Sequence, residues 1–542
     1  MFLKVSLNIL LYILVMTMAY SINKNARNLE HSVIDSISLN VTKSLHYDLK
    51  LSLKPGYVSH GEVNLSAYIS WSTRDITLLT SENINVTEVN LKSDNGEIYV
   101  LKRSNSHHKN KAVLNFAEEF FDNSLKCGFY ILYVNFTNTD TEELSQTLYT
   151  GEEENKKFIA TLFQSTKGRP LFPCFNTSDF VSLNISVKHD RRYQVLSNMP
   201  IRNQSVSNNV MLTHFHTFPY TYCDEVALIL MTSDMTPSDP ISFDSDDFTY
   251  SKIRINTWSR SLLVPHMKFA RHVLGNVTKY LNDNWNIVRR GPKVDCVALP
   301  NLEGNIRQTW GLVLYNETYI TYNEELYPAY KSTAMRLIVH EIIYQWFDGF
   351  FYPWHNYWLL NEGFIRFIES YIIEKVFPKS RGLFIIQDQH EYRYLDVHYP
   401  TDINEKFTND ISKFKFNSLS IRQHIIGPVV WRMLKSVMPN TVFWNSISKY
   451  LTSNLTYNSR IPGNLWEIMQ THIDRPEIEN YELNVQEMMN VWAQHKHCPV
   501  LNVIRDCNEA YVHISLDKEQ AFNQTIFLYP SPILRKWRLI SK

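Results

Sequence analysis

Around the segment Ser233 to Asp239 the hydrophobic period of the chain changes, and with it the structure the chain can adopt. Before it, from about Ser44 to Asp234, apolar and polar residues alternate. Tyr47, Leu49, Leu51 and Leu53 form one such run, and Val63, Leu65, Ala67 and Ile69 another. Period two places every second side chain on the same face of a strand. Short runs of this kind, separated by clusters of Asn, Asp, Gly and Ser, predict an antiparallel sandwich. The segment Ser233 to Asp239 (SDMTPSD) reads as a linker by composition. Beyond it Met335, Leu337, Ile338, Ile342, Ile343, Trp346 and Phe347 fall at helical spacing, with Ser332 or Thr333 as the expected cap. Phe364, Phe367, Ile368, Tyr371 and Ile372 mark a second amphipathic helix, and further helical patterns run from Gly427 to Val437 and near Val491. After Cys498 strand-like pieces return, at Val503 to Arg505 and Tyr511 to Ser515. The pattern is that of an α+β chain of several domains.

At 542 residues there is room for two to four domains. Lys+Arg and Asp+Glu number 54 each, so the net charge is zero, and no basic field argues for a nucleic-acid partner. With 31 Tyr, 29 Phe and 12 Trp, a large packed core is readily built. The first residues read as a targeting segment. Lys4 supplies a positive start, Leu7 to Met18 is mostly apolar but short for a span, and Ala19 and Ser21 are small residues near a cleavage point. Residues 1–21 are therefore expected to be a signal peptide, the alternative being an uncleaved anchor at a membrane surface. The C-terminal residues carry no apolar tail, so no lipid-anchor signal is expected there.

Eleven Asn-x-Ser/Thr sequons occur, at Asn40, Asn64, Asn85, Asn135, Asn176, Asn184, Asn203, Asn276, Asn316, Asn454 and Asn523. So many, behind a signal-like start, point to a glycosylated protein that is secreted or held at the cell surface. Six cysteines are compatible with an oxidising compartment. Cys498 and Cys507 are spaced to bridge a hairpin. The pairing of the other four stays open, and a free buried Cys174, between Pro173 and Phe175, is as good a reading as a bridged one.

The chemistry gathers at His340-Glu341-Ile342-Ile343-Tyr344, followed by Asn361-Glu362-Gly363-Phe364. A zinc-peptidase helix carries two histidines four residues apart with a glutamate after the first, which sets both imidazoles on one face. A later carboxylate completes such a site. Here Tyr344 stands at the second imidazole position.

The chain resembles the aminopeptidase N-like zinc aminopeptidases from about Tyr47 onward. The resemblance rests on Phe172-Pro173-Cys174-Phe175, Leu299-Pro300, Trp310-Gly311-Leu312, His340-Glu341, Gln345-Trp346-Phe347 and Leu360-Asn361-Glu362-Gly363-Phe364, in the family's order and near its spacing. It implies an N-terminal β domain (22–235), a thermolysin-like peptidase domain (236–490) and the beginning of a β-sandwich (491–542). The family's helical domain, which covers the cleft, would follow. The chain reaches only into the sandwich, so either an open cleft or a truncated gene product is expected.

By the same resemblance His340 and Glu362 match zinc ligands and Glu341 the general base that takes a proton from the metal-bound water. Tyr344 replaces the other ligand histidine. A neutral phenol, with an unperturbed pKa of about 10, is a poor ligand, so zinc is expected to bind weakly or not at all. Tyr344 then serves as a packing residue, unless either Tyr344 or His355 completes a rearranged ligand set. Between Tyr344 and Glu362 there is one residue fewer than the family carries. Gln308 and Gln164 stand where the family has two glutamates that grip a substrate's free ammonium. A hydrogen bond to a charged group contributes about 1.5–3 kcal/mol against roughly 1 for a neutral pair, so the selection for a free N-terminus weakens. Arg307 adds a nearby positive charge. His424 aligns with the tyrosine that steadies the tetrahedral oxyanion, and an imidazole can donate in its place. The expected role is a degraded peptidase acting through peptide or protein binding. The alternative is an active zinc metalloaminopeptidase.

Overall fold

The computed structural model describes the chain between residues 42 and 516, apart from 117–124, 139–147, 163–171, 176–180, 245–251, 286–290, 352–357, 391–417, 454–461, 475–483, 495–500, 507–510 and shorter runs elsewhere. The expected signal segment 1–21, the sequons at Asn40, Asn176, Asn454 and Asn523, and Gln164, His355, Cys498 and Cys507 lie outside the described residues.

Two compact units are present, and each is described by itself. The first comprises residues 1–240, 256–264 and 290–318. Its largest sheet follows directly from the alternation. Tyr47, Leu49, Leu51 and Leu53 on strand Thr42–Lys54 are buried, as are Val63, Leu65, Ala67 and Ile69 on Tyr57–Ile69. These strands pair antiparallel, and Tyr57–Ile69 pairs in turn with Gly128–Asn138. On its other side Thr42–Lys54 pairs parallel with Val181–Asp190, Tyr47 opposite Leu183. The sheet is thus antiparallel apart from this one register. Local alternation carries no information about a partner so far along the chain.

A second sheet of this unit joins Tyr193–Ser197, Ala227–Thr232, Lys156–Leu162 and Leu148–Glu153. Its buried Leu196, Ile229 and Met231 pack in one core with Val297, Leu299, Leu312 and Leu314 from the strands Lys293–Leu299 and Leu312–Asn316. Those two strands run parallel, and Ile306–Thr309 folds back antiparallel on Leu312–Asn316. The turn between them is Trp310-Gly311. Gly311 has φ +71°, and a Cβ there would lie 2.2 Å from the Asn198 carbonyl oxygen, so only glycine fits. Asn198 clamps the turn, donating from Nδ2 to the carbonyls of Trp310 (2.7 Å) and Glu225 (3.0 Å). Beneath it lies a buried ion pair, Lys293 with Asp295. The remaining capacity of the pair is used. Lys293 also donates to the Ser197 and Gly311 carbonyls, and Asp295 Oδ1 accepts from Asn256 and Trp258. Buried charges persist only when paired and hydrogen-bonded in this way.

The second unit comprises 241–255, 265–289 and 319–542. It is built on helices α1 (Lys268–Asn284), α2 (Lys331–Phe351), α3 (Trp358–Val376), α4 (Ser418–Val437), α5 (Asn440–Leu451), α6 (Pro462–Ile473) and α7 (Val485–Gln494). Helix α2 begins at Lys331, straight after a 3-10 turn at Pro328–Tyr330, so Ser332 and Thr333 stand inside its first turn rather than capping it. The residues expected on its apolar face are buried, except that Leu337 is half-buried. Aromatic rings bind the helices, edge to face in the first two of the following pairs and tilted in the third. Phe347 of α2 lies 5.8 Å from Phe364 of α3, which lies 4.9 Å from Trp431 of α4, which lies 5.6 Å from Trp466 of α6. Such pairs contribute about 0.5–1.5 kcal/mol each beyond burial.

Two expected domain boundaries fall inside elements. The one at 235/236 cuts the strand Met235–Pro237, which pairs with Trp258 to Arg260, and the one at 490/491 cuts α7. The expected third domain appears, among the described residues, as a single hairpin, Leu501–Asp506 paired with Tyr511–Leu516. In sequence Cys498 and Cys507 flank one strand of this hairpin.

Candidate active site

Helices α2 and α3 pack on one another and carry the residues singled out in the sequence. His340 and Tyr344 are one turn apart on α2, hence on the same face. Both are half-buried, and Glu341 beside them is buried. Glu362 takes its place in the first turns of α3, and its side chain lies outside the described residues. Between them the structure adds a network that sequence reasoning missed.

His340 Nδ1 lies 3.0 Å from Oε2 of Glu369, a buried residue of α3. A carboxylate can only accept, so the ring carries a proton on Nδ1. This is how a metal-ligating imidazole is held by an outer carboxylate. Glu369 Oε1 accepts from Arg336 Nε at 2.5 Å, and Arg336 Nη2 donates to Asp388 Oδ1, also at 2.5 Å. Asp388 Oδ2 accepts from Ser370 Oγ at 3.0 Å. Burial by itself would push the Glu369 carboxyl up, but the Arg336 charge and the His340 hydrogen bond outweigh it and hold it below the usual carboxylate range. Glu369 therefore stays ionised and orients the His340 ring. The only signal in the sequence was a weak one, Arg336 and Glu369 lying on helices rich in apolar residues. A charge there is buried only if another charge meets it.

Helix α4 reaches the same region. A Cβ on Gly363, next to Glu362, would lie 2.5 Å from the Gly427 Cα atom, so α3 and α4 cross backbone to backbone at two glycines. His424 stands one turn before Gly427 on α4, and its side chain lies outside the described residues. Pro428 lacks the N–H that would bond to the carbonyl of residue 424, which loosens the helix at that turn.

Gln308 belongs to the first unit, on Ile306–Thr309 opposite Val313. Its Oε1 is buried and accepts no hydrogen bond among the described residues. Arg307, expected to act beside it, points to the opposite face of the strand, because successive side chains alternate. Strand Lys156–Leu162, which leads to Gln164, lies against Ile306–Thr309.

Among the described residues no group of three His, Cys, Asp or Glu side chains comes together to hold a metal ion. No helix among them is long and apolar enough to cross a membrane.

Comparison with known proteins agrees with this arrangement. Residues 43–221 match the Peptidase M1 N-terminal domain, and residues 269–492 match the Peptidase family M1 domain. The chain is 26% identical over 395 residues to Aminopeptidase Q of Homo sapiens, covering 69% of this chain and 38% of that protein. To Aminopeptidase A of Gloydius brevicauda it is 26% identical over 497 residues, 88% of this chain and 49% of that protein. To Glutamyl aminopeptidase of Bos taurus it is 26% identical over 484 residues, 85% and 47% respectively. The chain thus spans about half, or less, of the length of these relatives. Both matched domains, in this order and over this much of the sequence, place the chain in the aminopeptidase N-like peptidase family M1.

Proposed function

We propose that the chain is an exported, glycosylated aminopeptidase-like protein whose peptidase chemistry is impaired or lost, and that it acts by binding peptides or a protein partner. The observation that carries the reading is the donor set on α2. His340 is oriented by Glu369 as a ligand would be, yet the position one turn on is Tyr344. A catalytic zinc takes three protein ligands and a water. The imidazole of His340 and the carboxylate expected from Glu362 leave that set one strong donor short, since a phenol is a poor ligand, and this supports no efficient hydrolytic step. Gln308 adds to the reading. Its buried Oε1 is an acceptor without charge, able to bond an ammonium or an amide but with little preference for the former. The sequons and the character of residues 1–21 support export.

Zinc content of the purified chain, with Tyr344→His beside it, tests the proposal. The wild type is expected to hold well under one equivalent after dialysis against a weak chelator, and Tyr344→His is expected to hold substantially more. Stoichiometric, tightly held zinc in the wild type would overturn the reading.

A second reading, an active zinc aminopeptidase, draws on the His340–Glu369 bond, which is the outer-shell contact such a site needs. It predicts chelator-sensitive release of amino acids from aminoacyl chromogenic substrates, abolished in Glu341→Gln. Unchanged release in that variant would exclude it.

A further inference from the structure

We infer that Cys174 and Cys223 are joined by a disulfide bond in the mature protein. Their Sγ atoms lie 2.7 Å apart, and both residues are fully buried in the first unit. Unbonded carbon atoms settle at about 3.5–4.0 Å, and sulfur is larger than carbon, so two thiols left free do not rest at this separation. A disulfide measures about 2.05 Å and closes the remaining gap with a small rotation of either side chain.

Both backbones are already fixed around the pair. Cys174 exchanges two hydrogen bonds with Leu79, its carbonyl accepting from the Leu79 N–H (2.7 Å) and its own N–H donating to the Leu79 carbonyl (3.0 Å). Cys223 opens the 3-10 turn Cys223–Glu225, directly after strand Phe218–Thr221. The two cysteines are 49 positions apart in the chain, so the bond closes a loop holding the strands from Val181–Asp190 to Phe218–Thr221. The hydroxyl of Tyr47 stands beside the sulfurs, donating to Ser44 Oγ and accepting from the Phe175 N–H. Burial, with the sulfurs adding to it, pushes that phenol far up. It stays neutral beside the pair.

The chemistry is a two-step exchange. The thiolate of one cysteine attacks a sulfur of a disulfide oxidant, such as oxidised glutathione, forms a mixed disulfide and releases one thiol. The second cysteine, as thiolate, attacks the protein sulfur of that mixed disulfide. The S–S bond of the pair forms, and the oxidant leaves as a second thiol. Two electrons pass from the cysteines to the oxidant, and their two protons go to solvent and the departing thiols. Since both sulfurs are buried in the folded chain, the exchange takes place as the first unit folds.

The test refolds the reduced full-length chain in a buffer of reduced and oxidised glutathione, then unfolds it in guanidinium with iodoacetamide and no reductant. After glycan removal and trypsin, the peptides ending at Lys188 and Lys252 contain Cys174 and Cys223 and no other cysteine. They are expected to be found linked, and to separate on reduction. In Cys174→Ala, Cys223 becomes fully alkylated. That is readable in the unfolded chain whether or not the variant folds stably. Carbamidomethyl groups on both wild-type cysteines, or links to Cys127 or Cys296 in place of this pair, would overturn the inference.

Discussion

Burial of His189 sets a difference in proton binding between the folded and unfolded chain. Its Nδ1 lies 3.0 Å from the Asp190 carbonyl, which can only accept, so that nitrogen carries the hydrogen. Nε2 then accepts from the Thr213 hydroxyl at 2.9 Å, and a neutral ring is fully satisfied. Loss of solvent lowers the pKa of the ring, and the opposing pull of the neighbouring Asp190 does not cancel it. The unfolded chain takes up a proton here near pH 6.5, while the folded chain does so only at lower pH. Stability from this residue is complete above about 6.5 and is lost as the pH falls toward the folded value, with a slope of at most about 1.4 kcal/mol per pH unit. Urea unfolding at pH 7, 6 and 5 is expected to show His189→Gln losing less stability than the wild type. Parallel decline of the two would show that this ring is not the titrating group.

At the level of elements, the hydrophobic period made the buried faces of the first strands and of α2 and α3 readable in advance. Pairing was less readable. The parallel register of Thr42–Lys54 with Val181–Asp190 joins segments far apart in sequence, and no local pattern encodes it. Helix α4 begins at Ser418, well before Gly427, where the expected helical pattern starts, and carries Pro428 in its interior. The candidate site was legible as a list of residues and illegible as a network. Arg336, Glu369 and Asp388 each look like solvated charges until α2 and α3 are packed together. Gly363 shows the same limit from the other side. It belongs to a motif that carries chemistry, yet its own role is to let α3 touch α4 at Gly427. A methyl group there would push on backbone that no rotamer change can move. Gly363→Ala is expected to destabilise the second unit by about 2–3 kcal/mol, as overpacking does. A denaturant midpoint equal to that of the wild type would show that the helices can part without loss.

For the molecule as a whole, the proposed export and glycosylation bear on the surface that the fold leaves free, and the structure separates the sequons. Asn85 and Asn203 are exposed on their strands. A glycan on either meets solvent and costs no contact. Asn184 differs. Its Nδ2 donates to Asp48 Oδ1 at 2.6 Å and reaches His46 Nε2 at 3.1 Å, while its Oδ1 accepts from Thr217 at 2.7 Å. A glycan bonded to that nitrogen leaves it one hydrogen, so at least one of these contacts on the parallel strand pair is lost. Asn135 is half-buried, and its Oδ1 is shut away from water. If the chain is glycosylated before it folds, as the proposed export implies, molecules carrying a sugar at Asn184 or Asn135 are expected to fold less well and to be depleted from what is secreted. Mapping the secreted protein by enzymatic deamidation of glycan-bearing asparagines in heavy-oxygen water is therefore expected to mark Asn85 and Asn203 and leave Asn184 and Asn135 largely unmarked. High occupancy at Asn184 would mean that the His46–Asp48–Asn184 contacts are dispensable, and that the sequence pattern alone, without the fold, decides which sequons survive.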